Sequence, residues 1–147
     1  MKRRTLLKAG LQVALSGAII PGAALAEYPT KAFLAKETPE AIREAFGTTD
    51  LGETDKIEIE APLIASDANM VPVRIHSGFD NTESISLVVA GNESPFTAVF
   101  KLYESQNFVS TRIRMADSSD LLVIVKADGM LHTSTRPIRV GRNSCEA

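Results

Sequence analysis

The sequence has no tryptophan, only two histidines, and one cysteine, Cys145, among 147 residues. A single thiol excludes an internal disulfide, and with tryptophan missing as well, the Cys…Trp…Cys core of antibody-type domains is excluded. Two histidines leave little scope for a histidine-rich metal site, and zinc held by two His and one Cys would require Cys145 to fold back from the end of the chain. A blue-copper centre fails for a similar reason, because nothing able to ligate at the usual short spacing follows Cys145. His76 and His132 both fall inside alternating segments, where an exposed or half-exposed imidazole is the ordinary outcome.

Long apolar runs are also scarce. The only one, Ala9 to Ile20, is too short to span a bilayer as a permanent helix. It follows a basic head of Lys2, Arg3, Arg4 and Lys8 and precedes Ala24-Leu25-Ala26, a small–x–small sequence. That is the layout of an export signal cleaved after Ala26. Arg3-Arg4-Thr5-Leu6-Leu7-Lys8 points to the twin-arginine route, which carries folded proteins. The expected location is therefore the periplasm.

Basic charge is short as well. The first 26 residues hold four of the sixteen Lys and Arg and none of the eighteen Asp and Glu, so the remainder carries twelve basic against eighteen acidic groups, a net charge of −6. An acidic chain without a basic stripe is a poor partner for nucleic acid or anionic membrane. Residues 27–147 suffice for one domain with a real core.

Residues 27–55 read as a helical lead-in and linker. Thr38-Pro39-Glu40 supplies a capping hydroxyl, a proline suited to the first turn and an acid at the helix start. Ala41, Ile42, Ala45 and Phe46 form one apolar face before Gly47 stops the helix. From Lys56 the period becomes two. Ile57, Ile59 and Ala61 alternate with Glu58 and Glu60, which share a solvated face. Val71, Val73 and Ile75 alternate with Pro72, Arg74 and His76. Five further strands are expected over 84–90, 97–103, 108–115, 121–127 and 131–140, with Asp128-Gly129 as a tight hairpin between the last two. Seven short strands without a long helical crossover predict an all-β antiparallel Ig-like sandwich over 56–140. Asn92-Glu93-Ser94 matches a glycosylation sequon without significance for this export signal.

Residues 141–147 read as a flexible arm, Gly141-Arg142-Asn143-Ser144-Cys145-Glu146-Ala147. Fully extended, four residues beyond Gly141 place the thiol about 14 Å from the domain. Lone cysteines are usually small buried hydrophobes; here the neighbours are polar and no strand pattern includes the residue. Catalysis would need a base and a dry site, and the arm offers neither. Glu146 and the terminal carboxylate disfavour the thiolate while Arg142 favours it, so no strongly activated thiol is expected. Two uses stay open: a thiol that carries a covalently attached group, and an intermolecular disulfide in a non-catalytic interaction protein.

Three segments resemble the SoxY family, the sulfur-carrier subunit of the periplasmic thiosulfate-oxidising system. They are Ile57–Ala65 followed by Met70–Ile75, Thr111–Ala116 with Ser118-Ser119, and Asp128–Leu131 with Pro137–Val140. The resemblance implies a heterodimer with a SoxZ-like subunit and transient contacts with sulfur-oxidising enzymes. It further implies that sulfur intermediates are held covalently on Cys145, with no other cofactor. Arg142 and Ser144 are expected to orient an anionic adduct. The family's arm ends Gly-Gly-Cys-Gly-Gly, whereas side chains, one of them charged, flank the thiol in this chain.

Overall fold

The computed structural model describes residues 28–104 and 106–141. Two helices come first, α1 (Thr30–Leu34) and α2 (Thr38–Phe46). Nine strands follow: β1 (Gly52–Glu53), β2 (Ile57–Glu60), β3 (Ile64–Ala65), β4 (Val71–Ser77), β5 (Thr82–Val89), β6 (Phe96–Lys101), β7 (Phe108–Ile113), β8 (Ser119–Ala127) and β9 (Met130–Val140). The seven longer strands are those the alternation predicts.

They form two sheets. The larger runs β1-β9-β8-β5-β6 with β3 also on β9; the smaller runs β2-β4-β7. All pairings among the seven longer strands are antiparallel. The sandwich is therefore as expected, with one correction. β1 and β3 pair parallel with β9, at His132–Thr133 and at Arg139–Val140. Two-residue pairings need no helical crossover, because the chain merely brushes the outer edge of β9 and moves on. Between them lies Pro137. Arg139 and Gly141 direct their amides to this outer edge, towards Leu63 and Ala65. By the two-residue period Pro137 sits where its missing N–H would point the same way.

Strict alternation in β4 buries Val71, Val73, Ile75 and Ser77 and exposes the residues between. Opposite them, Ile85, Leu87, Val89, Leu121, Val123 and Val125 complete a core between the sheets. Burying each such aliphatic side chain stabilises the fold by about 1.5–3 kcal/mol. β5 and β8 depart from alternation, because their second face is covered too. Val88, Phe96 and Ile124 pack against Ala32, Ala35, Ala41 and Ile42 of the helical segment. Phe33 meets Phe96 edge-on at 4.8 Å, a favoured aromatic geometry.

α2 ends as expected: Gly47 adopts φ 74°, and its amide donates to Arg43 at 2.7 Å. Its start differs. Thr38 lies within the first turn, Glu37 is the capping residue, and no side chain caps the helix. Asp128 and Gly129 both have positive φ, the geometry of the two-residue hairpin they were expected to make. Gly91 is required by contact: a Cβ there would lie 2.8 Å from both Cβ and Oγ of Ser119. No helix among the described residues is long and apolar enough to cross a membrane.

Candidate functional site

The last strand carries the chain towards Cys145, and its end is tightly held. Ile138 is buried. Arg139 donates its amide to Leu63 O at 2.9 Å, and Gly141 does the same to Ala65 O at 2.9 Å. Between them the Val140 amide donates to Ser118 Oγ at 2.9 Å. Backbone order therefore persists through Gly141, four residues before the cysteine. Ala26, Arg142, Ser144 and Cys145 lie outside the described residues. A small recess of about 300 Å³ lined by Ala116, Asp117, Ser118 and Val140 adjoins this root. Leu63 and Ile64, in and beside the strand that grips it, are 64 % and 67 % exposed.

Four residues upstream, Arg136 occupies an inward-facing position of β9, between half-buried Ser134 and buried Ile138. Its Nη2 donates to Ala61 O at 3.0 Å. Its buried Nε has no partner among the described residues. Together with Arg74, Glu60, Pro62 and Pro72 it lines a cleft of about 620 Å³ at the open end of β2. Arg74 reaches Glu60 only at 3.9 Å. Sequence reasoning missed this cleft. The available signal was an arginine at an inward-facing position of an alternating strand.

The histidines behave as their strands suggested. His76 is exposed, while His132 is half-buried and stacks on Phe79, with ring centroids 4.2 Å apart. Lys56 Nζ lies 5.3 Å from the centre of the same Phe79 ring. Among the described residues no group of three His, Cys, Asp or Glu is placed to hold a metal. Glu58 and Glu60 are both exposed on one face of β2. Glu93 is held below the ordinary glutamate value by its hydrogen bond to Lys36 Nζ at 2.7 Å, with the lysine's charge adding to the effect.

A comparison with known families matches residues 42–145 to the model of the sulfur oxidation protein SoxY. That span opens in α2, takes in every strand and includes Cys145. Among solved structures, the chain is similar to the sulfur carrier protein SoxY from Chlorobium limicola f thiosulfatophilum. The identity is 34 % with a TM-score of 0.62, covering 69 % of this chain and 93 % of that one. A search of curated proteins finds no match. The family match spans well over half of the sequence, and the two-sheet sandwich is shared with the solved carrier: the chain belongs to the SoxY family.

Proposed function

We propose that this protein is a non-catalytic sulfur carrier of the periplasmic thiosulfate-oxidising system, with Cys145 as the point of covalent attachment. One observation carries the reading: the family match continues through Cys145, four residues beyond a strand end fastened by Ser118 and Ala65. A rigid root followed by a short polar segment suits a thiol that must reach other proteins' sites rather than build its own. The reach is about 14 Å when the segment is extended.

The chemistry then lies in the partners. Coupling the Cys145 thiolate to the outer sulfur of thiosulfate forms an S–S bond and releases two electrons, which an oxidising haem enzyme accepts. Water then cleaves the sulfonate from the adduct as sulfate and leaves a persulfide on Cys145 for further oxidation. Arg142 and Ser144 supply a cation and a hydroxyl beside the anionic adduct. A SoxZ-like subunit completes the carrier as a heterodimer. Export by the twin-arginine route, with cleavage after Ala26, allows such a pair to fold before translocation. Asn143, Ser144, Glu146 and Ala147 stand in place of the family's flanking glycines, so the arm is bulkier and carries a negative charge next to its cargo. Partner sites that admit it must be wider, and cationic near the entrance.

Intact mass spectrometry of the protein isolated from thiosulfate-grown cells tests this reading. Increments of one sulfur or of one S–SO3 group, removed by reductant and mapped to the peptide bearing Cys145, are expected. A disulfide-linked dimer with no such increment would sink the carrier assignment and favour an interaction protein. Cys145→Ser should abolish loading while leaving the fold and the export signal untouched.

A further inference from the structure

The outer face of the larger sheet is only partly covered by α1 and α2. Where the helical segment meets this face lies a further cavity of about 590 Å³, remote in sequence from the cysteine arm. Its floor is Ser84 and Ser86 of β5. Ser86 is fully buried, yet its hydroxyl has no hydrogen-bond partner among the described residues. Buried hydroxyls are normally satisfied, and this one lines a cavity large enough to admit the missing partner. The rings of Tyr28, Phe46 and Phe96 form the apolar wall.

The mouth carries two lysines. Ser84 is paired in register with Lys101 on one neighbouring strand and Lys126 on the other, so both lysines stand on its face. With strands about 4.8 Å apart, their stems are separated by about 10 Å. Lys126 is engaged by Glu83 at 3.3 Å, and Glu83 is itself fixed by the Gly129 amide at 3.0 Å. Lys101 has no ion-pair partner among the described residues, which leaves its ammonium available at the opening; both lysines also line an adjoining recess with Asp80, Glu83 and Glu104.

We infer that this cavity binds a small organic anion. An aromatic or short aliphatic body lies against the rings, a sulfonate or carboxylate meets Lys101, and a further polar atom satisfies Ser86. Aromatic contact supplies the apolar burial and the lysine selects the charge, a division of labour common to small-ligand sites. The site does not depend on Cys145, so it stands or falls separately from the carrier role.

The probe is 8-anilinonaphthalene-1-sulfonate, which offers a ring system, a sulfonate and an anilino N–H. It is titrated against the chain as isolated from cells and followed by its fluorescence. One saturable site per chain is expected, unchanged in Cys145→Ser and weakened on the order of tenfold in Lys101→Gln, because an ionic hydrogen bond is lost. Ser86→Ala should weaken binding several-fold. Amide NMR shifts on binding should be confined to the cavity lining, namely Tyr28, Ala45–Phe46, Ser84–Ser86, Phe96–Lys101 and Lys126. Lys101 is exposed, so its replacement leaves folding intact. Equal affinity in the Lys101→Gln protein, several equivalent sites, or shifts centred on exposed Leu63 and Ile64 would each overturn the assignment.

Discussion

Asn92 accepts the Ala116 amide on its Oδ1 at 2.8 Å, and its Nδ2 donates to the Arg114 carbonyl at the same distance. The side chain thus replaces a missing strand partner on both sides of Met115, whose thioether is buried in the core. Met115 donates its own amide to Ala68 O at 2.8 Å. Part of the segment that carries the family resemblance, Thr111–Ala116, is therefore held by a residue more than twenty positions away.

Removing that clasp should cost stability. Asn92→Ala is expected to destabilise the protein by about 0.5–1.5 kcal/mol, since two solvent-accessible backbone groups lose their partner. Asn92→Asp keeps the acceptor for Ala116 and loses the donor to Arg114, so it should fall between. Urea unfolding at constant slope measures both, and an unshifted midpoint for Asn92→Ala would show that water replaces the amide without loss.

A second prediction concerns the turn between β4 and β5. Ser77 and Thr82 place their hydroxyl oxygens 2.6 Å apart in the core. Thr82 donates its proton to Phe79 O at 3.0 Å, so Ser77 must be the donor between the two hydroxyls. Ser77 Oγ in turn accepts the Phe79 amide at 3.3 Å. Ser77→Ala and Thr82→Val should each cost about 1–3 kcal/mol through the buried groups they strand. The double variant should cost less than the sum, because neither hydroxyl is left facing an orphan. Strict additivity in a double-mutant cycle would contradict a hydrogen bond between the two hydroxyls.

The contact between Lys36 and Glu93 predicts a pH dependence. Lys36 donates to Glu93 and lowers its folded pKa, first by the hydrogen bond and then by charge. A depressed carboxyl pKa stabilises the fold above the ordinary value of 4.5, and this contribution is lost as pH falls through the lowered value. The pair is exposed, so the effect on stability is small and screened by salt. Carbon-detected titration of the Glu93 carboxyl should give a midpoint below 4.5 that rises towards it in Lys36→Met. An identical midpoint in that variant would refute the pairing.

The arm's root supplies the fourth test. Ser118→Ala removes the acceptor for the Val140 amide. Exchange of that amide with solvent should quicken on the order of tenfold while core amides keep their protection, since the root would open locally. Unaltered exchange at Val140 would mean that the parallel contact with β3 alone fixes the strand end.

Much of this architecture was legible because side-chain chemistry repeats with the backbone's period. Val71, Val73 and Ile75 announce β4, and Asp128-Gly129 announces a turn that needs two positive φ values. β1 and β3 were not legible, since two-residue parallel contacts are made by backbone groups that any residue carries. Thr38 misled because proline at the following position suits several starts, and the helix begins one residue early with Glu37 as its cap. The continuous burial of Ile85–Val89 in β5 and Val123–Val125 in β8 depends on helices that come from elsewhere in the chain. The same holds for the sites. Cys145 was conspicuous from its surroundings in sequence, whereas Arg136 and Ser86 acquire meaning only when β2 and the helical segment are laid beside them.

Pro137 has a consequence for how copies of the molecule meet. An uncovered strand border with a regular row of amides invites a neighbour to zip on. On the outer side of β9, one end is taken by Gly52 and Glu53, the other by Ile64 and Ala65, and the middle offers the Thr135 amide followed by a proline nitrogen with nothing to donate, so no regular row of donors remains. The strand that leads to the thiol is thereby denied to intermolecular sheet growth, and encounters between crowded copies are steered away from it.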